Sequence, residues 1–306
     1  MPKPKLTIIC PVFNEERVIP LFFGRLQPVR EKLSSEYDVD LLFCNNASTD
    51  GTLEAIELIR GRHPDVFVIT LSRNVGYQSS IECGMRNAKG DLLVIIDVDC
   101  EDPPEMIHMF IAKHREGFDV VYGERVDREE VAWIKSLRKL FYRVLRSIAD
   151  DNVILDMAEF SLMTAEVRDA IVQDLTSFPF IRASIGRVGF RIAGIPYKRE
   201  ARIAGETHYN LIGMAVFAVA GILSSSTWLL RLPIYMLPVW AAAVIALAIW
   251  MICSPLPWMS PVMIALIGLY VGAAAAFVSI YVARIYKNTL GRPNFVIARK
   301  GTHAQP

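Results

Sequence analysis

Short aliphatic runs alternate with segments of helical periodicity over roughly the first third of the chain. The runs predict strands at Leu6–Val12, Val39–Cys44, Val66–Leu71, Leu92–Asp97 and Val120–Tyr122. The segments between them predict helices at Glu15–Leu26, Thr52–Ile59, Ser79–Asn87 and Glu105–Glu116. Unbroken aliphatic strands that alternate with helices are typical of a parallel sheet covered on both faces. The pattern therefore predicts an α/β head built on a mostly parallel sheet.

The pattern changes beyond residue 210, where long uncharged stretches replace the alternation. Leu211–Leu230 predicts an interfacial amphipathic region, and Leu232–Cys253 and Met259–Ala283, about 22 and about 25 residues, are each long enough to span a bilayer. Basic residues lie outside both spans and none lies in the turn between them, which predicts a hairpin with both ends in the cytosol. We therefore divide the chain into a head (1–210), an interfacial region (211–231), two spans (232–285) and a cytosolic tail (286–306).

Composition agrees with a protein that is partly in a membrane. Of the 306 residues 53% are hydrophobic, and the formal net charge is only +1. A charge so close to zero argues against nucleic acid as a partner. The five cysteines are scattered without metal-site spacing, which fits a reduced compartment. Because no signal peptide precedes the first strand, we expect the head to stay in the cytosol.

Polar residues cluster where the predicted strands end, and the end of the fourth strand has the most acidic residues. Asp97, Asp99 and Glu101 are spaced two apart, so an extended chain would present them on one face. Hard carboxylate oxygens of this kind suit Mg²⁺ or Mn²⁺ together with substrate phosphates. Asp102 is expected to cap the following helix, with Pro103 at its first position. The alternative is that these acids only decorate a loop and a helix start.

Four motifs in order resemble family 2 glycosyltransferases. They are Pro-Val-Phe-Asn-Glu at 11–15, Asn-Ala-Ser-Thr-Asp-Gly-Thr at 46–52, Leu-Ser-Arg-Asn-Val-Gly at 71–76 and Asp-Val-Asp-Cys-Glu-Asp-Pro-Pro-Glu at 97–105. More narrowly, the chain looks like the polyprenyl-phosphate glycosyltransferases, which include dolichyl-phosphate mannose synthases and bactoprenol glucosyltransferases. The resemblance implies a GT-A (Rossmann-like) fold for the head, followed by the transmembrane hairpin.

The resemblance also implies roles for the donor side. Pro11, Phe13, Glu15 and Asn46 would hold the nucleotide base and ribose, and Asp97 would face the ribose or the diphosphate. Asp99 and Glu101 would bind the metal. The sequence departs from the family where Asn45-Asn46 replaces the usual Asp-Asp and where Glu101 replaces a Gln. Asn keeps an acceptor oxygen for a uracil N–H, so UDP is favoured over GDP, while the base stays open.

On the acceptor side, arginine forks suit a lipid phosphate because they bind phosphate oxygens bidentately. The candidates are Arg125, Arg128, Arg199 and Arg202, and His208 lies in a stretch that resembles the family's acceptor-side motif. The alternative is a basic face attracted to anionic lipid head groups. Glu159 stands near the position of the family's proposed base. A phosphate acceptor is already largely dianionic at neutral pH, so the reaction does not need a strong base. The alternative is that Glu159 is a structural acid with no role in the reaction.

The predicted function is metal-dependent, inverting transfer of a sugar from a nucleotide-diphosphate sugar to polyprenyl phosphate at the cytosolic leaflet. The implied partners are the donor, the lipid acceptor and membrane lipids, and a homo-oligomer is left open. One rival is a processive polysaccharide synthase, although the Gln-x-x-Arg-Trp motif of those enzymes is absent. Other rivals are a transferase for a different lipid acceptor and an inactive, membrane-anchored protein that binds nucleotide sugars.

Overall fold

The head is built on one seven-stranded sheet. The structure is a computed structural model that describes residues 2–126, 150, 154, 157–174, 176, 179–202, 226–254 and 256–304. The strands are β1 (Lys5–Val12), β2 (Asp38–Asn45), β3 (Val66–Thr70), β4 (Leu92–Ile95), β5 (Val120–Val126), β6 (Met157–Thr164) and β7 (Ile192–Lys198). Their order across the sheet is β3-β2-β1-β4-β6-β5-β7.

Strands β3, β2, β1 and β4 form the parallel part that the sequence predicts. Ile8 at the centre of β1 pairs with Leu41 of β2 on one side and with Val94 of β4 on the other. All three side chains are fully buried. Because both faces of these strands are covered, the aliphatic runs need no polar alternation, and this confirms the reasoning from the pattern.

The other part of the sheet is mixed. Strand β6 lies antiparallel between β4 and β5, and β7 pairs parallel with β5 at the far edge. Neither β6 nor β7 is among the predicted strands. Four of the six strand pairs are parallel, so the predicted mostly parallel α/β head is confirmed.

Helices cover both faces of the sheet. They are α1 (Ile19–Leu33), α2 (Thr52–Arg60), α3 (Tyr77–Asn87), α4 (Ile107–Arg115), α5 (Ala165–Val172) and α6 (Ile181–Val188), and a 3₁₀ turn at Pro104–Met106 leads into α4. Helices α1, α2 and α4 pack on one face, and α3, α5 and α6 pack on the other. Helix α3 lies very close to the sheet at Gly84, where a Cβ would come within 2.4 Å of Ile9 Cγ2.

Two long apolar helices follow the head, α7 (Trp228–Cys253) and α8 (Met259–Thr289). Both are long and apolar enough to cross a membrane, with mean hydropathies of 2.3 and 2.2. They pack against each other through the stacked rings of Trp240 and Tyr270, whose centroids are 4.5 Å apart. The predicted spans lie within these helices. Residues 211–225 of the predicted interfacial region lie outside the described residues, and the domain limits stay a prediction.

The tail beyond α8 packs on the head. Its residues bridge the edge strand β3 at Val68–His303 and its end at Leu71–Ile297, both antiparallel. Phe295 and Ile297 also pack against the buried cluster beneath α3. The Tyr281 hydroxyl donates to the Ser226 carbonyl at 2.7 Å, so the start of α7 lies beside the last turns of α8, from which the chain continues to the head.

Candidate active site

A cavity of about 520 Å³ opens at the carboxyl ends of the parallel strands. This edge is where parallel α/β sheets bind ligands, because the loops after successive strands meet there. All eleven predicted site residues that the structure describes line the cavity: Pro11, Phe13, Glu15, Asn46, Asp97, Asp99, Glu101, Arg125, Glu159, Arg199 and Arg202. The other two, Arg128 and His208, lie outside the described residues.

Left-handed backbone turns the chain into the cavity after three of these strands. Asn14, Ala47 and Cys100 follow β1, β2 and β4 and have φ values of 56°, 58° and 57°. Asn visits this region readily, whereas Ala and Cys do so at a cost of about 1 kcal/mol or more. Non-glycine residues with this conformation cluster at functional sites, and here they surround one cavity.

One side of the cavity, which we call the amide wall, consists of Asn46, Asn74, Val75 and Gly76. The Asn46 Nδ2 group donates to Asn74 Oδ1 at 3.0 Å, and Asn46 Oδ1 accepts from the Val75 N–H at 2.9 Å. Asn74 Oδ1 also accepts from the Gly76 N–H at 2.9 Å. Asn46 is buried, so these bonds hold the loops after β2 and β3 together without any charge.

Another side, which we call the charged wall, consists of the lining residues Asp99, Glu101, Arg125, Arg199 and Arg202 and of the buried Asp102 behind them, which pairs with Arg125. Arg202 lies 3.0 Å from Asp99 Oδ2 and 3.5 Å from Glu101 Oε1, and Arg199 pairs with Glu101. Burial raises the pKa of Asp99; the hydrogen bond from the Glu101 N–H opposes this rise, the charge of the Glu101 carboxylate adds to it, and Arg202 opposes it. The charged wall thus pairs acids with arginines in a partly dehydrated place.

The acidic segment itself is a turn and not a strand end. Strand β4 ends at Ile95, and the Glu101 N–H donates to Asp99 Oδ1 at 3.1 Å across the left-handed Cys100. The expected extended spacing is therefore wrong, although Asp97, Asp99 and Glu101 still reach the same cavity.

Asp102 does not cap the next helix, and that prediction is also wrong. Pro103 occupies the cap position of the 3₁₀ turn, with no side-chain cap bond. The Asp102 carboxylate is 1% exposed and is bound instead by the Tyr197 hydroxyl and by Arg125, whose terminal nitrogen lies 3.1 Å from Oδ2. Although burial opposes it, this acid raises the pKa of Arg125, which keeps the guanidinium charged. A buried carboxylate is stabilised most by charged and strong hydrogen-bond donors. Here Tyr197 and Arg125 bind Asp102 in place of the N–H groups of the next helix.

Asp97 and Glu159 line the floor between the two walls. The Tyr77 hydroxyl donates to Asp97 Oδ1 at 2.6 Å. Removal from water raises the pKa of Asp97 to about 7, with the Asp99 charge as the next cause. Glu159 Oε1 accepts from Gln78 Nε2 at 3.0 Å and from Arg182 Nε at 2.8 Å. Its buried Oε2 has no hydrogen-bond partner among the described residues.

Sequence reasoning missed eight lining residues, among them Asn74, Tyr77, Gln78 and Arg182. Asn74 stands in a motif that was recognised, so its position after β3 was an available signal. Tyr77 and Gln78 begin α3 directly after that loop, which also places them at the carboxyl edge. Arg182 comes from α6, far along the chain, and no local pattern marks it.

The carboxylates could bind a divalent cation only if substrate phosphates supplied its remaining ligands. No three His, Cys, Asp or Glu side chains form a metal cluster within the described residues. Asp99 and Glu101 supply hard oxygens on one side of the cavity, and Arg199 and Arg202 now supply the compensating positive charge. One or two carboxylates with room for substrate phosphates is the usual arrangement for Mg²⁺.

Comparison with known proteins identifies a family and several relatives. Residues 7–172 match the model of glycosyl transferase family 2. An uncharacterized glycosyltransferase, YkcC, of Bacillus subtilis is 33% identical over 96% of this chain and 93% of its own length. A prophage bactoprenol glucosyl transferase homolog of Escherichia coli is 30% identical, covering 96% and 99% of the two chains.

Two solved structures match this chain at low sequence identity and with TM-scores below 0.5. Glucosyl-3-phosphoglycerate synthase from Mycobacterium tuberculosis, solved with phosphoglyceric acid, has a TM-score of 0.48 and 19% identity over 72% of this chain and 79% of its own. The mannosyltransferase PcManGT from Pyrobaculum calidifontis, solved with GDP-Man and Mn²⁺, has a TM-score of 0.44 and 19% identity over 94% and 87% of the two chains.

Proposed function

This chain belongs to glycosyltransferase family 2, and we propose that it transfers a sugar from a nucleotide-diphosphate sugar to a polyprenyl phosphate at the cytosolic leaflet. The observation that carries the proposal is the cavity itself. Its amide wall is neutral and suits a base and sugar hydroxyls, whereas its charged wall suits two phosphate-bearing substrates. The apolar helix pair and the similarity to the Escherichia coli bactoprenol glucosyl transferase homolog favour a lipid acceptor.

The donor is proposed to lie against the ends of β1 and β2. Pro11, Phe13, Glu15 and Asn46 would hold the base and ribose, with UDP favoured over GDP. The Phe13 side chain is 36% exposed, so a ring face is available to a base. Asp97 would accept from a ribose hydroxyl or lie beside the diphosphate, and the Tyr77 hydroxyl fixes its orientation.

Asp99 and Glu101 are proposed to hold Mg²⁺ or Mn²⁺ with the donor diphosphate. When bound, the ion neutralises negative charge that develops on the leaving nucleotide diphosphate. Arg199 and Arg202 pair with these same acids, so binding of the diphosphate and ion gives the guanidinium groups new partners. The arginines would then bind phosphate oxygens within the cavity.

The acceptor phosphate is proposed to be held by Arg199 and Arg202, with Arg125, Arg128 and His208 as further candidates. An oxygen of the lipid phosphate attacks the anomeric carbon, and the bond from that carbon to the diphosphate oxygen breaks. Attack opposite the leaving group inverts the anomeric configuration. The arginines place the nucleophile and offset repulsion between the two anions.

Glu159 is proposed to orient substrate and not to remove a proton. Its Oε1 already accepts hydrogen bonds from Gln78 and from Arg182, which fix the orientation of the carboxylate. The acceptor phosphate needs no strong base because it is largely ionised at neutral pH. The remaining oxygen, Oε2, is available to accept from a sugar hydroxyl.

The test is transfer by the detergent-solubilised full chain. It would be incubated with undecaprenyl phosphate, Mg²⁺ or Mn²⁺, and a panel of UDP- and GDP-sugars, with glycolipid detected by mass. We expect one donor to give a lipid-phosphate sugar and EDTA to abolish its formation. Nucleotide binding without product from any donor would contradict the proposal and favour a different acceptor or a binding protein.

A further inference from the structure

The tail beyond α8 contacts β3 and α3, the two elements that flank the cavity-lining residues Asn74 and Gly76 on the donor side. It runs beside β3, an edge strand of the seven-stranded sheet, which would otherwise present unpaired main-chain groups. We call residues 294–303 the strap. We propose that the strap is a positioning element for the donor side, which links the helix pair to the amide wall. The effect on donor binding rests on the proposed function.

Main-chain hydrogen bonds fix the strap along β3 up to the edge of the amide wall. Val68 and His303 exchange two of them, at 3.0 and 2.7 Å. Farther along, the Ala298 N–H donates to the Thr70 carbonyl at 2.8 Å, and the Ser72 N–H donates to the Val296 carbonyl at 2.9 Å. The last of these bonds lies two residues before Asn74, so the strap supports the start of that loop.

A side chain at the start of the strap reaches the second element of the donor side. Asn294 Nδ2 donates to Glu82 Oε2 at 2.8 Å and to the Thr176 carbonyl at 2.8 Å. Glu82 lies in α3, the helix whose first turn brings Tyr77 and Gln78 to the cavity. Glu82 is 7% exposed, so loss of Asn294 removes a donor from a largely buried carboxylate.

Apolar packing and one close backbone approach also hold the strap against the head. Phe295 and Ile297 pack against the cluster beneath α3. Gly301 has a φ of +70°, and a Cβ there would come within 2.7 Å of Leu53 Cδ2. These contacts fix the register of the strap on β3. The strap therefore connects the loop after β3 to the end of α8.

The experiment compares three full-length variants with the wild type in detergent. Ile297→Asp places a charge in the apolar seat, Asn294→Ala is a milder change, and Lys300→Ala is the control because Lys300 is an exposed strap residue. Hydrogen–deuterium exchange of peptides covering residues 66–80 reports the loop directly and requires no activity. Donor KM, kcat and the fraction of protein in membranes are measured beside it.

We expect Ile297→Asp to accelerate exchange at 68–76 by about tenfold or more, because the N–H groups of Val68, Thr70 and Ser72 donate to His303, Thr302 and Val296 of the strap. Donor KM should rise about five- to tenfold with kcat changed less than about twofold, because the variant disturbs binding and not the charged wall. Asn294→Ala should shift both quantities in the same direction by less, and Lys300→Ala should shift neither.

Unchanged exchange in both Ile297→Asp and Asn294→Ala would overturn the proposal. Faster exchange with an unchanged donor KM would overturn the link to donor binding. If the wild type transfers no sugar and binds no nucleotide while exchange still rises in the variants, the proposed function fails and the positioning of the loop by the strap stands.

Discussion

The two walls of the cavity are held in opposite ways. The amide wall is held by neutral hydrogen bonds between Asn46 and the loop after β3, and none of these bonds has to break for a ligand to enter. In the charged wall, by contrast, Arg199 and Arg202 form ion pairs with Glu101 and Asp99, the two carboxylates proposed to bind the cation. In the proposed complex, the amide wall would keep its hydrogen bonds, whereas the charged wall would exchange ion-pair partners when donor and cation bind. We therefore expect changes in the charged wall to reduce turnover and changes in the amide wall to weaken donor binding.

The largest effect is expected at Asp99. Asp99→Ala should reduce glycolipid formation by about 1,000-fold or more, because the charged wall loses a candidate metal ligand and the partner of Arg202. The measurement is the initial rate with saturating donor and Mn²⁺, with circular dichroism to show that the head stays folded. Retained Mn²⁺-dependent activity in this variant would refute the assignment of Asp99.

Arg202→Lys is expected to have the next largest effect. Lysine keeps the charge but loses the planar fork that spans Asp99 and Glu101, so kcat should fall about 10- to 100-fold. Arg187→Lys is a matched control, since Arg187 pairs with Asp174 away from the cavity lining. Equal kinetics for the two variants would mean that the fork has no role in transfer.

Asn46→Ala should mainly raise donor KM. The change removes both bonds to the loop after β3, each worth about 1 kcal/mol, so KM should rise about tenfold with little change in kcat. Donor titration at saturating acceptor measures it, and Asn87→Ala on the far end of α3 is the control. A fall in kcat without a rise in KM would break the proposed division between the two walls.

The smallest effect is expected at Ala47, where the backbone is left-handed. Ala47→Gly removes a conformational cost of about 1 kcal/mol and adds an unfolded-state cost of similar size, so the thermal midpoint should barely move. Ala47→Val should lower it by several degrees, because a β-branched residue is poorly tolerated at positive φ. Equal midpoints for the two variants would contradict a left-handed Ala47.

The same two walls show what the sequence could and could not predict. The parallel strands were predictable because their buried aliphatic runs are local signals, and the polar residues that end them necessarily meet at one edge. Strand β6 was not predictable in this way because its short run contains Glu159, and an isolated acid in a buried strand is rare. Glu159 is tolerated there because Gln78 and Arg182 satisfy one of its oxygens, and both come from distant helices.

Asp102 illustrates the remaining difficulty. Its neighbours in sequence give it the pattern of a helix cap, yet Tyr197 and Arg125 bind it from strands at the far side of the sheet. The identity of the partner depends on sheet order, and sheet order depends on where β6 inserts. The strap is similar, because its pairing with β3 joins residues more than two hundred positions apart.

The length of α8 bears on where a lipid acceptor would react. Beyond Ala283, the end of its uncharged stretch, the helix continues to Thr289 and carries Arg284 and Lys287. Six more residues add about 9 Å, close to the depth of one layer of lipid head groups. In the proposed membrane arrangement, these six residues would form a short stalk that holds the head above the hydrocarbon. The phosphate of a polyprenyl phosphate would then react at the level of the lipid head groups, while the polyprenyl chain stays in the hydrocarbon of the bilayer.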